Sequence, residues 1–365
     1  MRTLKSTPLT DGYHMPAEFG PHHQSWMLWP ERTDIWPHGG KPAQTVFAEI
    51  ASAIAQFEAV TVGVSSRQYQ NARARLPPSV RVVEVSYNGC WIRDTGPVFI
   101  SNDRGHVRGV DWEFNAWGGL KEGLYFPWDL DNLIAQKILD LENIDRYAGP
   151  LIMEGGGINV DGEGTLLTTE SCILNPNRNA DIDISTAEQT FSDFLGVKKI
   201  IWLKRGLYLD ETGGHIDNLC SFVRPGVVLL TWTTDSSDPQ YEISQEAYEL
   251  LASTTDAHGK PLKIIKIQQP QPIYIEQTDS ASVDSIPGTV PRIVGARLPA
   301  SYINFYFVNG GLLVPIFRDA ADSGALRAIS DAVPDKKIVP INTKALLFGG
   351  GNIHCNVLQQ PLAKN

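Results

Sequence analysis

The sequence predicts an α/β protein assembled from five similar units about a shared centre, and three observations carry that prediction. A helical stretch followed by an apolar strand recurs along the 365 residues. Short apolar segments between the recurrences, such as Thr165-Leu166-Leu167-Thr168 and Val227-Val228-Leu229-Leu230, read as hairpin partners. Polar residues suited to chemistry follow the strand of the unit in four of the five cases, at Asp94, Glu154, His215 and Cys355. A repeat that delivers one polar residue per copy from one local position implies pseudo-rotational symmetry. No Pro/Ser-rich linker or low-complexity block divides the chain, so residues 1–365 read as one domain.

The units follow in order. The first helix runs from about Ala43 to Phe57, with Val46, Phe47, Ile50, Ile54 and Phe57 on one face, and leads into Val60-Thr61-Val62-Gly63-Val64. The second begins near Asp129, places Leu133, Ile134, Ile138 and Leu141 together, and leads to Leu151-Ile152-Met153. The third begins near Ser185, with Ala187, Phe191, Phe194 and Leu195, before Ile200-Ile201-Trp202-Leu203. The fourth begins near Glu242 and precedes Leu262 to Ile267. The last begins near Ser323, with Leu326 and Ile329, before Lys337-Ile338-Val339-Pro340-Ile341.

Composition narrows the function. Hydrophobic residues make up 42% and charged residues 20%, as in ordinary globular proteins. The segment Arg2, Thr3, Lys5, Ser6 lacks the apolar stretch of a signal peptide. No run approaches the roughly eighteen apolar residues of a membrane helix. Cys90, Cys172, Cys220 and Cys355 are scattered without paired spacing, which points to a reducing, cytoplasmic setting. A net charge of −10 argues against nucleic acid as partner and suits a small cationic one.

Cys355 is the centre of the chemical reading. It closes the run Phe348-Gly349-Gly350-Gly351-Asn352-Ile353-His354-Cys355, whose glycines leave room for a ligand against the main chain. A free thiol, with a pKa of about 8.5, is mostly protonated near neutrality, so a nucleophilic Cys needs a base or a cationic neighbour. His215 or a cationic substrate could serve. His215 follows Gly213-Gly214 and precedes Asp217 by two residues. In an extended segment that spacing points imidazole and carboxylate to one side. Asp94 in Trp91-Ile92-Arg93-Asp94-Thr95-Gly96-Pro97 and Glu154 in Glu154-Gly155-Gly156-Gly157 add two carboxylates on turns. One thiol, one imidazole and several acids suggest a cysteine nucleophile acting on a cationic substrate. Trp91, three residues before Asp94, reads as a pocket wall, because aromatic faces attract guanidinium groups. The other three cysteines read as small buried apolar residues.

Other chemistries lack support. There is no Cys-x-x-Cys or His-Glu-x-x-His spacing for zinc, and the adjacency of His354 and Cys355 is poor for joint ligation. No Gly-x-Ser-x-Gly elbow, Gly-x-Gly-x-x-Gly or Gly-Lys-Ser/Thr loop is present.

Taken in order along the chain, these motifs resemble the agmatine deiminases of the guanidine-modifying amidinotransferase-like superfamily. The resemblance spans Met15-Pro16-Ala17-Glu18-Phe19, Trp26-Met27-Leu28-Trp29-Pro30-Glu31-Arg32 and the Trp91 to Pro97 run. It continues through Glu154 to Gly157 and Gly214-His215-Ile216-Asp217-Asn218, and ends with Ala300-Ser301-Tyr302-Ile303-Asn304-Phe305 and Gly349 to Cys355. Phe348 departs from it, standing where a small residue or Cys is expected, outside the reacting groups.

The resemblance implies a five-bladed α/β propeller with pseudo-fivefold symmetry. It implies hydrolysis of agmatine to N-carbamoylputrescine and ammonia, a step toward putrescine, with neither metal nor organic cofactor. The implied roles are Cys355 as nucleophile, His215 as general acid/base, and Asp94 and Asp217 as guanidinium clamps. Glu154 would orient His215 or the substrate, and Glu211 would help bind the substrate. A homo-oligomer is implied by the same likeness. Two alternatives stay open: deimination of another guanidine such as free or peptidyl arginine, and non-catalytic binding of a guanidine or polyamine.

Overall fold

Each recurring unit closes for the same reason: an amphipathic helix must cover the sheet formed by the strands on either side of it. In this computed structural model, which describes residues 1–363, that happens five times. The helix Lys41–Ile54 buries Val46, Phe47, Ile50 and Ile54 and connects two parallel strands, His22–Leu28 and Ala59–Val64. The helix Ile134–Leu141 connects Val107–Glu113 with Arg146–Ile152. Ile184–Leu195, capped by the Asp183 carboxylate on the Thr186 N–H, connects Thr165–Thr169 with Lys199–Leu203. Gln240–Ser253 lies between Val227–Trp232 and Lys263–Gln268, and Asp322–Ala332 between Gly311–Ile316 and Lys337–Asn342.

A third strand lies antiparallel on the other side of each unit. In four units it is the first arm of a hairpin: Val98–Asn102, Ile158–Val160, Cys220–Arg224 and Tyr306–Val308. In the first unit it comes from the far end of the chain, as Leu358–Pro361 pairs antiparallel with His22–Leu28. The last strand of the chain therefore completes the sheet of the first unit, and Thr165–Thr169 and Val227–Trp232 are the hairpin partners expected of them.

The strand expected at Leu151 starts five residues earlier, at Arg146, despite Gly149 and Pro150. A register shift between Asp111 and Glu113 on the facing strand absorbs the proline, which has no N–H to give to the ladder. Trp112 lies so close to Gly149 that a Cβ there would come within 2.3 Å of its ring. The first unit also carries an outer parallel strand, Arg81–Glu84, beyond Ala59–Val64. No helix of the described residues is long and apolar enough to cross a membrane.

The repeat positions the site. A short turn precedes the antiparallel strand of each unit: Ile92–Thr95, Gly155–Gly157, Ile216–Asn218 and His354–Asn356 are helical turns, and residues 301–304 lead into Tyr306. These turns carry Asp94, Glu154, Asp217, Cys355 and Asn304 within four residues of the strand that follows.

Phe191, fully buried on Ile184–Leu195, packs with Leu166, Leu195 and Val197 in a cluster separate from the one holding Cys355. Phe191→Ala is expected to cost about 3–5 kcal/mol, read as a lower urea midpoint. Turnover per folded molecule should stay near wild type at low temperature.

Candidate active site

Five turns from five units bring their side chains to one place, and nearly all of it is shut off from solvent. His215 and Glu154 are 0% exposed, Cys355 2%, Asp217 3% and Asp94 5%, so these groups act on one another through a dry, low-dielectric interior. Gly156 marks the centre. A Cβ there would lie 2.5 Å from His215 Nδ1 and 2.9 Å from both Asp217 Oδ2 and Asp94 Oδ1. Only glycine leaves those three groups room to face one space.

Cys355 Sγ lies 3.4 Å from Asp217 Oδ2 and accepts a hydrogen bond from Asn304 Nδ2 at 3.2 Å. Burial raises its pKa well above that of a free thiol, and Asp217 and Asp94 add to the rise. Cys355 is thus kept protonated by its surroundings. His215 has both ring nitrogens without a hydrogen-bond partner, 3.8 Å from Asp94 Oδ1 and 3.5 Å from Glu154 Oε2. Burial opposes its protonation, but Asp94 foremost, then Cys172 and Glu154, raise its pKa well above the ordinary value. It is poised as an imidazolium.

The acids divide by partner. Asp94 accepts from Trp117 Nε1 and from the Gly156 N–H, both at 3.0 Å. Burial is the largest influence on it and lifts its pKa to about 6, with His215 opposing and Asp217 and Glu154 assisting. Glu154 is buried too, but the Arg178 guanidinium donates to both its oxygens at 2.8 and 3.1 Å and holds it down to about 2. Asp217 stays below the usual range despite burial because His354 Nδ1 lies 2.9 Å from its Oδ2. His354 Nε2 in turn lies 2.8 Å from Glu18, which Arg93 also supports from 3.3 Å. Asp217 Oδ1 is buried without a partner.

The remaining expected residues are placed differently from one another. Glu211 stands at the glycine turn, where a Cβ on Gly350 would meet its Oε2 at 2.9 Å. Trp91 does not lie open as a wall. Its ring stacks with Trp36 and Tyr125 at centroid distances of 6.3 and 5.6 Å, and its Nε1 donates to the Gly349 carbonyl at 2.8 Å. The indole fixes the turn leading to Cys355.

Sequence reasoning missed Arg178, His354, Asn304, Cys172 and Trp117 as parts of the site. Asn304 is within reach of the repeat pattern, because it lies in the one unit that carries none of Asp94, Glu154, His215 and Cys355. Cys172 is buried as expected of it, yet its Sγ lies 3.8 Å from Glu154 Oε2. Glu154, Cys172 and His215 bring ligand atoms within 4.8 Å of one another, the spacing a metal ion would need. Arg178 already occupies Glu154, and the high proton affinity of His215 competes with any metal there.

Thiol, imidazolium and paired acids around a dry space define a guanidine-modifying enzyme, and comparison with known proteins agrees. Residues 14–361 match the family described as Porphyromonas-type peptidyl-arginine deiminase, and the chain belongs to that family. Within it, the chain is 51% identical to the agmatine deiminase of Pseudomonas aeruginosa, over 99% of each protein. It superposes on the agmatine deiminase of Enterococcus faecalis with a TM-score of 0.96, at 46% identity and 99% coverage of both. A serine-for-cysteine variant of the C. jejuni agmatine deiminase with substrate bound is 26% identical, with a TM-score of 0.83 over 97% of each chain. The likeness to agmatine deiminases read from the motifs is borne out.

Arg178→Met removes the guanidinium that donates to both oxygens of Glu154 and leaves His215, 3.5 Å away, to offset that buried charge, so a loss of about 3–5 kcal/mol is expected at pH 7. Glu154 has its folded pKa below its unfolded value of 4.5. Its contribution is therefore present above pH 4.5 and fades as pH falls toward about 2. Urea midpoints of the two proteins should converge on acidification.

Proposed function

We propose that this protein is an agmatine deiminase, hydrolysing agmatine to N-carbamoylputrescine and ammonia through an amidino-cysteine intermediate. The observation that carries the reading is the convergence of His215, Asp94 and Asp217 on the space at Gly156, beside the Cys355 thiol. Two carboxylates flanking one space suit a planar cation with N–H groups on both edges. The high identity to agmatine deiminases across the whole chain supports the substrate.

In this scheme the guanidinium enters between Asp94 and Asp217, and its charge offsets what holds the thiol protonated. The Cys355 proton leaves to solvent and the thiolate attacks the guanidinium carbon, forming the C–S bond. The His215 imidazolium donates to the departing nitrogen, and ammonia leaves with that C–N bond. Water then gives a proton to neutral His215 as its oxygen bonds to the same carbon. The C–S bond breaks, Cys355 leaves as thiolate, and the hydroxyl proton passes to solvent to give the urea product. Glu154, fixed by Arg178, orients His215. Asn304 and the chain through His354 to Glu18 hold Cys355 and Asp217.

The same reading takes residues 1–365 as one catalytic domain, a five-bladed α/β propeller acting as a cytoplasmic homo-oligomer without metal or cofactor. The five-fold recurrence of one strand and helix arrangement supports the propeller.

Ammonia release from agmatine and from arginine, by wild type and by Cys355→Ala, tests the function. Agmatine turnover by wild type alone is expected, with loss of about four orders of magnitude or more in the variant. Preferred turnover of arginine would move the specificity. Turnover of neither guanidine by a folded wild type would overturn the reading. The pH dependence follows from Asp94: below about pH 6 it takes a proton and loses its hold on the cation. The kcat/KM for agmatine should fall on acidification through that value, seen in initial rates between pH 5 and 8.

A further inference from the structure

Glu211, an expected substrate acid, stands at Gly350 rather than at Gly156, and it carries a partner that no motif announced. Arg292 Nη1 pairs with Glu211 Oε1, and the Arg292 side chain is only 3% exposed. The second carboxylate oxygen, Oε2, is buried and has no hydrogen-bond partner among the described residues. It lies against Gly350, whose φ of +82° suits glycine, and the next residue, Gly351, would place a Cβ 2.5 Å from Cys355 Sγ. One glycine turn therefore separates the unpartnered oxygen from the nucleophile.

The base from which Arg292 reaches is tied down on several sides. Ser280 Oγ donates to the Arg292 carbonyl at 2.6 Å, the Val290 N–H donates to the Leu124 carbonyl at 2.9 Å, and Thr289 Oγ1 donates to Asp34 Oδ2 at 2.7 Å. A guanidinium on a fixed base sets the direction of the carboxylate it holds. A buried carboxylate oxygen without a donor is costly, so its natural complement is an N–H group brought by a ligand.

We infer that Arg292 is a positioning residue for the substrate's distal ammonium: it holds Glu211 by one oxygen so that the other receives that ammonium. The inference rests on the reading of the chain as an agmatine deiminase and adds to it the ligand of the amine end. Arg292 neutralises part of the Glu211 charge and fixes its plane. The remaining acceptor selects a small N–H cation at the far end of the butyl chain.

The test compares agmatine with n-butylguanidine, which keeps the guanidinium and the chain but lacks the ammonium. Wild type, Arg292→Gln and Arg292→Lys are assayed on both, with butylguanidine measured as a competitive inhibitor where its turnover is too slow. Arg292→Gln is expected to lower kcat/KM for agmatine about tenfold, chiefly through KM, and to change butylguanidine less than about twofold. Arg292→Lys should recover part of the agmatine loss, because it restores the cation but not the forked geometry. Equal losses on both compounds would mean a merely structural role and overturn the inference. An unchanged or improved agmatine KM would overturn it as well, since Arg292 would then be idle or in competition with the substrate. A wild type inactive on agmatine would remove the functional reading and this inference together, whereas an active wild type with an insensitive Arg292→Gln would remove the inference alone.

Discussion

Four acids cannot be packed around one thiol without counter-charges, and that constraint organises the interior. Two series of alternating charge meet at the space beside Gly156. One runs from Arg178 through Glu154 and His215 to Asp94. The other runs from Arg93 through Glu18 and His354 to Asp217 and the Cys355 thiol. Every ionised member lies beside a charge of opposite sign, which is the condition on which buried charge is tolerated. The outer members, Arg178 and Arg93, anchor each series in the protein body.

The alternation is incomplete where it matters for chemistry. Asp94 has no cationic partner within hydrogen-bonding distance, and its pKa rises to about 6. Asp217 Oδ1 and both nitrogens of His215 have no hydrogen-bond partner. Beside these unmet acceptors, burial holds the Cys355 thiol protonated. A guanidinium supplies what is missing: charge for Asp94, N–H donors for the open oxygens, and a field that favours the thiolate. Substrate binding and nucleophile activation are then one electrostatic event.

The repeat explains how a chain assembles such a site. Each unit buries its helix on its own sheet and presents one short turn before its antiparallel strand. Turns related by the repeat can converge while the sheets beneath them stay regular. Glycine is needed only where groups from different units crowd together, at Gly156 and along the turn at Gly350 and Gly351. The pairing of Leu358–Pro361 with His22–Leu28 ties the Cys355 turn to the first unit, so the thiol is placed by the closure of the repeat.

The α/β class of the fold and the polar side chains that meet in the interior were legible in the sequence. Helix periodicity placed the five helices within a few residues, because burial of one face is written locally in the spacing of apolar residues. Cys355, His215, Asp94, Glu154 and Asp217 were legible for a similar reason, since each stands in a polar, Gly-flanked run unlike its surroundings. Only the tertiary structure decided the pairing of charges. Arg178 lies 24 residues from Glu154, Asn304 lies 51 from Cys355, and Glu18 lies 336 from His354. No local pattern encodes those contacts, because each joins segments well separated along the chain. The same holds for Trp91: its motif suggested a pocket wall, and only the packing of Trp36 and Tyr125 and the bond to Gly349 revealed it as a brace for the glycine turn.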